Sequence, residues 1–491
     1  MKRFSLAVLS VVFLLCSCTG GMDRAAFGEG EGPERAFLEA ALNRAVLETL
    51  GLRLTGAGED PGITIEFHSS WEFEKAWGDI LISRTWSVPQ GDPLTPVREA
   101  TLAGCLEGQE ILIPLRQLAP PYTALPVDGL CAGDEGYALI RAAGVSLKIR
   151  GKGKRIREKA EKLEAYIREM EKPLIEEKPS VTWIVAAGDL MLERGAQDIL
   201  LARGPEGLFG AEAAKLFREA DIALVNLEGP LSLRGEKAEK TYTFRFDPSC
   251  AGALKAAGIS GALFANNHAF DYGTEAFLDT LSCLEEAGIA ALGAGENEAA
   301  ASRPLVFQNK GFSARIFGIA SFFREASGWD GFQGTAEPEK PGMLHAAKGG
   351  VRALKAGFFR DWEEGLDIVL FHGGEEWSTR PGKAVRELYA DLIGKGADLL
   401  IGSHPHIVQG FEWIKGKPVF WSLGNFVFSG MENSGGGDRG LLIRLGYWGS
   451  RLLYLEPYAL ALSGPATQVA GEEHLIEFYE RSLELDAARD L

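Results

Sequence analysis

The chain has 491 residues, too many for one ordinary core, so two to three domains of roughly 100–200 residues each are expected. An apolar content of 46% and a charged content of 24% are those of a globular protein. The net charge of -17 argues against nucleic acid as a partner and against a basic membrane-surface patch.

The chain opens on a targeting pattern. Lys2-Arg3 form a basic start, and Phe4–Leu15 is an apolar run too short for a usual spanning helix. Leu15-Cys16-Ser17-Cys18 then resembles a bacterial lipobox, which implies cleavage before Cys18, diacylation of its thiol and a lipid-anchored, exported protein at the periplasmic or cell surface. An ordinary secretory signal is the plainer reading. Residues 1–21 are therefore set apart as signal peptide and tether. Export permits disulfides, and Cys105–Cys131 and Cys250–Cys283 are the pairings that stay within one domain; free buried thiols are the alternative.

Residues 22–150 read as a small α/β unit. Arg35–Leu50 has helical spacing, Ile63–Phe67 reads as a strand, and Trp71, Trp77 and Trp86 follow. The unit faintly resembles part of a periplasmic solute-binding domain, so a solute receptor is one reading of the whole chain. Residues 151–180 form a charged helical linker, most simply a solvated surface. From 181 the pattern becomes strand–loop–helix, with helices expected over Gly210–Ala220, Pro248–Ala257, Thr274–Ala287, Gly350–Glu364 and Lys383–Lys395. This α/β domain is expected over 181–460, and a helical tail over 461–491. The stretches Trp329–Pro341 and Gly430–Gly437 read as surface loops or mobile lids.

Six polar clusters punctuate that domain, and four of the chain's seven histidines lie in them. They are Gly188-Asp189, Asn226-Leu227-Glu228, Asn266-Asn267-His268 with Asp271, His372 with Glu375, Ser403-His404-Pro405-His406, and Ser422–Phe426. The first five follow the apolar runs Val181–Ala187, Ile222–Val225, Ala262–Ala265, Ile368–Phe371 and Leu399–Ile401; the sixth ends a further run, Pro418–Trp421. Polar groups at the carboxyl ends of buried strands share one sheet edge, where open α/β folds place their sites. Carboxylate, amide and imidazole together are the donor mix of a metal centre. Asp271 is placed to orient His268 through its second ring nitrogen. Pro405 biases His404 toward an extended backbone. Asn425 reads as a brace for neighbouring loops or a substrate contact.

These six motifs, in this order over residues 181–430, resemble the CapA family, the capsule-synthesis proteins tied to poly-γ-glutamate, which is similar in fold to calcineurin-like metallophosphoesterases. The resemblance implies a four-layer α/β/β/α sandwich, preceded here by the smaller α/β domain. It implies a divalent metal (Mn, Fe or Zn, one or two ions) held by Asp189, Glu228, Asn267, His372, His404 and His406. His268, Asp271 and Glu375 would be catalytic, with His268 as general acid; Asn266, Ser403 and Asn425 would contact substrate. An anionic or envelope polymer and a membrane synthase or export complex are the implied partners. The chain departs from the phosphoesterase pattern at Met191, where a His is usual, and at Glu228, which stands for a shorter Asp. Glu228, Asn267, His372 and His404 then read as one complete site, with Asp189 and His406 a second, thinner one. A metal-dependent hydrolase and a non-catalytic polymer scaffold both remain open.

Overall fold

The computed structural model describes seven short strands before residue 150, and residues 181–487 apart from 310, 323–329, 349–350, 352–364 and 432–433. The signal segment with Cys18, the helix expected over residues 35–50, the three early tryptophans, Cys105, Cys131, the charged linker and nearly all of the helix expected over residues 350–364 lie outside the described residues. The chain divides into two compact units: Met1–Ser83 with Glu99–Leu118 and Leu125–Pro179, and Arg84–Arg98 with Ala119–Ala124 and Ser180–Leu491.

The early strands are β1 (Asp23–Phe27), β2 (Leu52–Leu54), β3 (Ile63–Phe67), β4 (Ile80–Thr85), β5 (Ile111–Pro114), β6 (Tyr122–Ala124) and β7 (Val145–Ile149). Four make a sheet of order β2-β1-β3-β7, parallel except at its β3–β7 edge, and β4 pairs antiparallel with β5.

Two larger sheets fill the unit that follows. The first has eight strands. Its path is β11 (Ala290–Leu292), β10 (Gly261–Leu263), β9 (Ile222–Leu227), β8 (Thr182–Leu190), β21 (Arg439–Trp448), β22 (Arg451–Ser463) and β23 (Ala466–Val469), with β20 (Asn425–Val427) paired to the end of β8. The second has six: β13 (Leu305–Asn309), β14 (Phe312–Ser321), β16 (Leu366–Gly373), β17 (Leu399–Ser403), β19 (Lys417–Phe420) and β18 (Phe411–Ile414). β8 to β11 run parallel, as do β14, β16, β17 and β19. The short β12 (Ala294–Gly295) and β15 (Gly342–Met343) pair with each other. The helices are α1 (Ala196–Glu219), α2 (Cys250–Ala256), α3 (Gly273–Ala287), α4 (Glu298–Ala301), α5 (Lys383–Gly394) and α6 (Ile476–Ala487).

Burial explains why the central strands read as continuous apolar runs. In β8, Val185 joins a cluster with Phe209, Phe217 and Phe277 of α1 and α3, while Ile184 and Ala186 join another with Ile316, Ile368 and Ile401 of the six-stranded sheet. A strand covered on both faces has no polar face to alternate with. A third cluster packs Tyr389 and Leu392 of α5 against Phe371 and Trp421. Each fully buried side chain of this size contributes about 1.5–3 kcal/mol.

Several elements differ from expectation. α1 is kinked rather than continuous: Gly204 and Gly210, at φ of 69° and 75°, are non-helical, so the helix expected from Gly210 is its last section and further helix from Ala196 precedes it. The expected helical tail from 461 instead begins as the end of β22 and β23, because residues 452–463 pair along β21 and β23 with both faces largely covered; helix appears only at α6. Gly331–Gly334, inside the expected loop, forms a 3₁₀ turn capped by Asp330. Cys250 and Cys283 are both free, and burial pushes the Cys250 thiol up to about 12, which makes it unreactive at neutral pH. Among the described residues no helix is long and apolar enough to cross a membrane.

Candidate metal centre

The site starts at a close crossing of two backbones. A Cβ on Gly188 would lie 1.8 Å from the Gly424 carbonyl, so only glycine lets the end of β8 approach the segment entering β20. The Asp189 N–H donates to that carbonyl at 3.0 Å, and Asp189 then stands in register with Asn425. A register shift between Ala186 and Asp189 brings Asp189 opposite Asn226 of β9.

Both carboxylates are fully buried. The Asn226 side-chain amide spans them, donating to Asp189 Oδ1 at 2.8 Å and Glu228 Oε2 at 3.2 Å. Asn266 braces Asn226 in turn, donating to its Oδ1 at 3.2 Å and to the Leu227 carbonyl at 2.7 Å. Its own Oδ1 accepts from the His268 N–H at 3.1 Å, so Asn266 shapes the turn rather than facing outward. His406 closes this corner: its Nδ1 is 3.3 Å from Asp189 Oδ2 and its Nε2 is 3.8 Å from Glu228 Oε1. Asn425 Oδ1 lies 2.9 Å from His406 Nδ1, while its amide donates to the Gly437 carbonyl.

A second corner comes from β16, β17 and the turn after β10. His372 Nε2 lies 2.9 Å from Asn267 Oδ1 and 3.1 Å from His404 Nδ1. The Ser403 hydroxyl donates to the Phe371 carbonyl and lies 3.2 Å from His372 Nδ1, which fixes the ring from behind. His372 Nδ1 is 3.9 Å from Asp189 Oδ1, so the two corners adjoin.

His404 departs from the extended backbone that Pro405 favours. Its φ is 100°, and His406 and Trp377 also have positive φ, at 58° and 66°. Such angles cost energy in non-glycine residues and persist only where surroundings impose them. Here the His404 N–H donates to Asp189 Oδ2 at 3.3 Å and the Trp377 N–H to the Pro405 carbonyl at 2.9 Å. Trp377, 44% exposed, sets its ring at a tilt against His406, 5.5 Å between centroids.

The two corners differ in charge. Burial, and the repulsion of Asp189, hold the Glu228 carboxyl well above its ordinary range. Burial alone would depress His406, but the charges of Glu228 and Asp189 and the bond to Asn425 outweigh it and push it up to about 9. Burial and the neighbouring His404 and His406 hold His372 well below its usual value. Burial and His406 bring His404 down to about 3, so both imidazoles of the second corner are neutral donors.

A cation fits here. Asp189, Glu228 and His406 each offer a ligand atom, all within 4.8 Å of one another. Glu228 Oε1 is buried and accepts no hydrogen bond, though His268 Nε2 and His406 Nε2 both lie 3.8 Å away. A buried carboxylate oxygen without a donor is costly, and a metal ion relieves that cost. The grouping expected from sequence shifts accordingly: Glu228 sits with Asp189 and His406, and Asn267, His372 and His404 make the adjoining trio. Met191 is buried in the core behind the site, its sulfur accepting from the Glu193 N–H at 3.1 Å.

Beside the trios, His268 Nδ1 lies 2.6 Å from Asp271 Oδ2, and its ring packs at a tilt against Phe244, 4.3 Å between centroids. Asp271 also accepts from the Phe244 N–H and from Lys240 Nζ, both at 2.7 Å. Glu375 is placed elsewhere. It is exposed on the turn after β16, whereas the charge of the next residue, Glu376, is felt at Glu228. Lys240 and Phe244 are the neighbours that sequence reasoning missed. Lys240 closes a run of alternating charges (Glu236-Lys237-Ala238-Glu239-Lys240) that reads as wet surface, so no signal marked it.

Residues 183–430 match the model of a family described as the bacterial capsule synthesis protein PGA_cap, half of the chain. Among curated proteins, the chain is 30% identical over 260 residues to the capsule biosynthesis protein CapA of Bacillus anthracis, covering 51% of this chain and 60% of that protein. It is 28% identical over 246 residues to the PGA biosynthesis protein CapA of Bacillus subtilis, covering 49% and 62%. The chain thus spans less than two thirds of the length of these relatives. Among solved structures, a novel phosphatase from Mycoplasma pneumoniae aligns over 58% of this chain and 96% of its own, at 14% identity and a TM-score of 0.33. The family match takes in every strand-end motif from Asp189 to Asn425, and the chain belongs to the bacterial capsule synthesis protein PGA_cap family.

Proposed function

We propose that the chain is an exported, lipid-anchored accessory protein of capsule or poly-γ-glutamate synthesis, and that its metal centre hydrolyses a phosphoester or amide bond in an envelope polymer. We read the order helix, sheet, sheet, helix as the four-layer sandwich of metallophosphoesterases. The observation that carries the reading is the buried Glu228 Oε1, left without a donor among imidazoles and a second carboxylate. Asp189, Glu228 and His406 would hold a divalent ion (Mn, Fe or Zn), and Asn267, His372 and His404 would complete its coordination or hold a second. Such an ion supplies Lewis-acid polarisation of a phosphoryl or carbonyl oxygen. His268, its Nδ1 bonded to Asp271, presents Nε2 toward Glu228 and is placed to pass a proton to a leaving group. The lipobox-like Leu15–Cys18 supports anchoring at Cys18, with a membrane synthase or export complex as partner.

A second reading, a non-catalytic polymer scaffold, is favoured by one observation: Met191 is turned into the core where phosphoesterases usually place a ligand. Elemental analysis of the purified protein beside a His404→Ala/His406→Ala variant tests the metal centre. Near-stoichiometric Mn, Fe or Zn, lost in the variant, is expected. No metal in either after loading with Mn or Zn would leave the scaffold. Hydrolysis of phosphoesters or γ-glutamyl amides by the loaded protein then separates enzyme from scaffold.

A further inference from the structure

The segment from Ala238 to Phe246 crosses over the turn that carries Asn267 and His268. The Ala238 N–H donates to the Asp271 carbonyl at 2.8 Å, and the Phe244 N–H to the Asp271 carboxylate. Between them Lys240 points inward, its side chain only 1% exposed. Burying an ammonium group is costly unless it is paired and fully bonded. Lys240 Nζ meets that requirement with two bonds of 2.7 Å, one to Asp271 Oδ1 and one to the Asn267 backbone carbonyl.

Those two acceptors belong to residues with different duties. Asn267 turns its side-chain oxygen toward His372 in the second ligand trio. Asp271 holds the Nδ1 side of His268. One buried cation therefore cross-links a metal-facing amide and the partner of a proton-handling imidazole. Phe244 packs at a tilt against the same ring, 4.3 Å between centroids.

We infer that Lys240 is a positioning residue of the metal centre: it locks the Asn267–Asp271 turn so that Asn267 Oδ1 and His268 hold their places together. The metal part of this rests on the metal-centre reading above; the His268 part does not. Groups that orient ligands from behind typically change metal affinity 10–100-fold when removed.

The test uses the full-length protein, Lys240→Met and Lys240→Met/Asp271→Asn, the double variant removing both charges so that the fold survives. Thermal melts establish that the variants fold. In ¹⁵N-histidine-labelled, metal-stripped protein, the His268 Nδ1–H resonance should be sharp in the parent and broadened or shifted in Lys240→Met. An unchanged resonance in folded Lys240→Met overturns the inference, whether or not the protein takes up metal. Calorimetric titration with Mn²⁺ or Zn²⁺ should show affinity at least tenfold weaker in both variants. Parental affinity in the double variant would reduce Lys240 to charge balance and overturn the inference. A parent that binds neither ion, with the resonance change intact, would instead overturn the metal-centre reading.

Discussion

The two large sheets contribute unlike chemistry to the same edge. The eight-stranded sheet and its loops supply oxygen: Asp189, Glu228 and the Asn267 amide. The six-stranded sheet and the loop after β17 supply nitrogen: His372, His404 and His406. Neither set is a site alone. The carboxylates by themselves are two buried acids in which burial, and then the repulsion of Asp189, raise Glu228, while His372 and His404 are rings that burial keeps neutral. Packing one sheet on the other brings the acids to the imidazoles and leaves room for the charge of a cation. The centre therefore depends on the inter-sheet core as much as on its ligands.

The strongest way to break this arrangement is to force the edge strands apart. Gly188→Ala would drive a Cβ to 1.8 Å from the Gly424 carbonyl, and Gly402→Ala would drive one to 2.0 Å from the Trp421 carbonyl. Both contacts are with backbone, which cannot rotate aside. Each substitution is expected to cost about 3 kcal/mol or more, read by urea denaturation, and to abolish metal uptake even in the fraction that folds. Metal uptake at parental level in Gly188→Ala would show that the β8–β20 crossing does not set the site.

Glu228→Gln separates stability from binding. It keeps the shape while removing a buried charge whose neighbour Asp189 repels it. The metal-free variant should melt roughly 1–2 °C higher, the shift expected for about 1 kcal/mol in a unit of this size, while its affinity for Mn²⁺ falls about 100-fold, an estimate for losing a charged ligand where outer-shell changes already cost 10–100-fold. A lower melting temperature would mean that Glu228 is already compensated without metal.

Much of this edge was legible in the sequence because chemistry and periodicity coincide there. Asp189, Asn226, Asn267, His372 and His404 each follow an apolar run buried on both faces, and a polar residue ending such a run must sit at a strand's exit. What escaped was geometry that pattern does not encode. Pro405 predicts an extended His404, yet the bond to Asp189 imposes a φ of 100°. Lys240 sits in a charged run and still folds inward, because its partners Asp271 and Asn267 are distant in sequence. Helix precedes Gly210 as well as following it, because Gly204 and Gly210 kink α1 without ending it, and Leu200, Leu208, Phe209 and Phe217 on its successive sections are all buried.

The different charge states of the two corners, a raised His406 in one and neutral His372 and His404 in the other, predict opposite pH arms for the metal-stripped protein. His404, at about 3 folded against about 6.5 unfolded, is buried neutral. Below 6.5 the unfolded state takes up a proton that the folded state does not, so stability falls as pH drops from 6.5 toward 3. His372 acts in the same direction. His406, at about 9 folded, contributes stability that is fully present below 6.5 and lost as pH rises through 9. Urea midpoints between pH 4 and 10 should therefore peak near 6.5, and His406→Asn should lessen only the alkaline arm, to which Glu228, held above its ordinary range, also contributes. A variant that flattens the acid arm instead would reverse the assignment of charge to the two corners.

The smallest expected effect concerns the rim. Glu375 and Glu376 are adjacent and both exposed, and the charge of Glu376 is among those that raise Glu228. An exposed charge near a site is worth about 0.2–1 kcal/mol and is screened by salt. Glu376→Gln should weaken Mn²⁺ binding by up to about fivefold at low ionic strength, with the difference fading as salt is added. Glu375→Gln should leave affinity unchanged under the same conditions. If Glu375→Gln has the larger effect, the turn after β16 rearranges when metal binds and carries Glu375 inward, which would restore to it the catalytic place that its sequence motif implies.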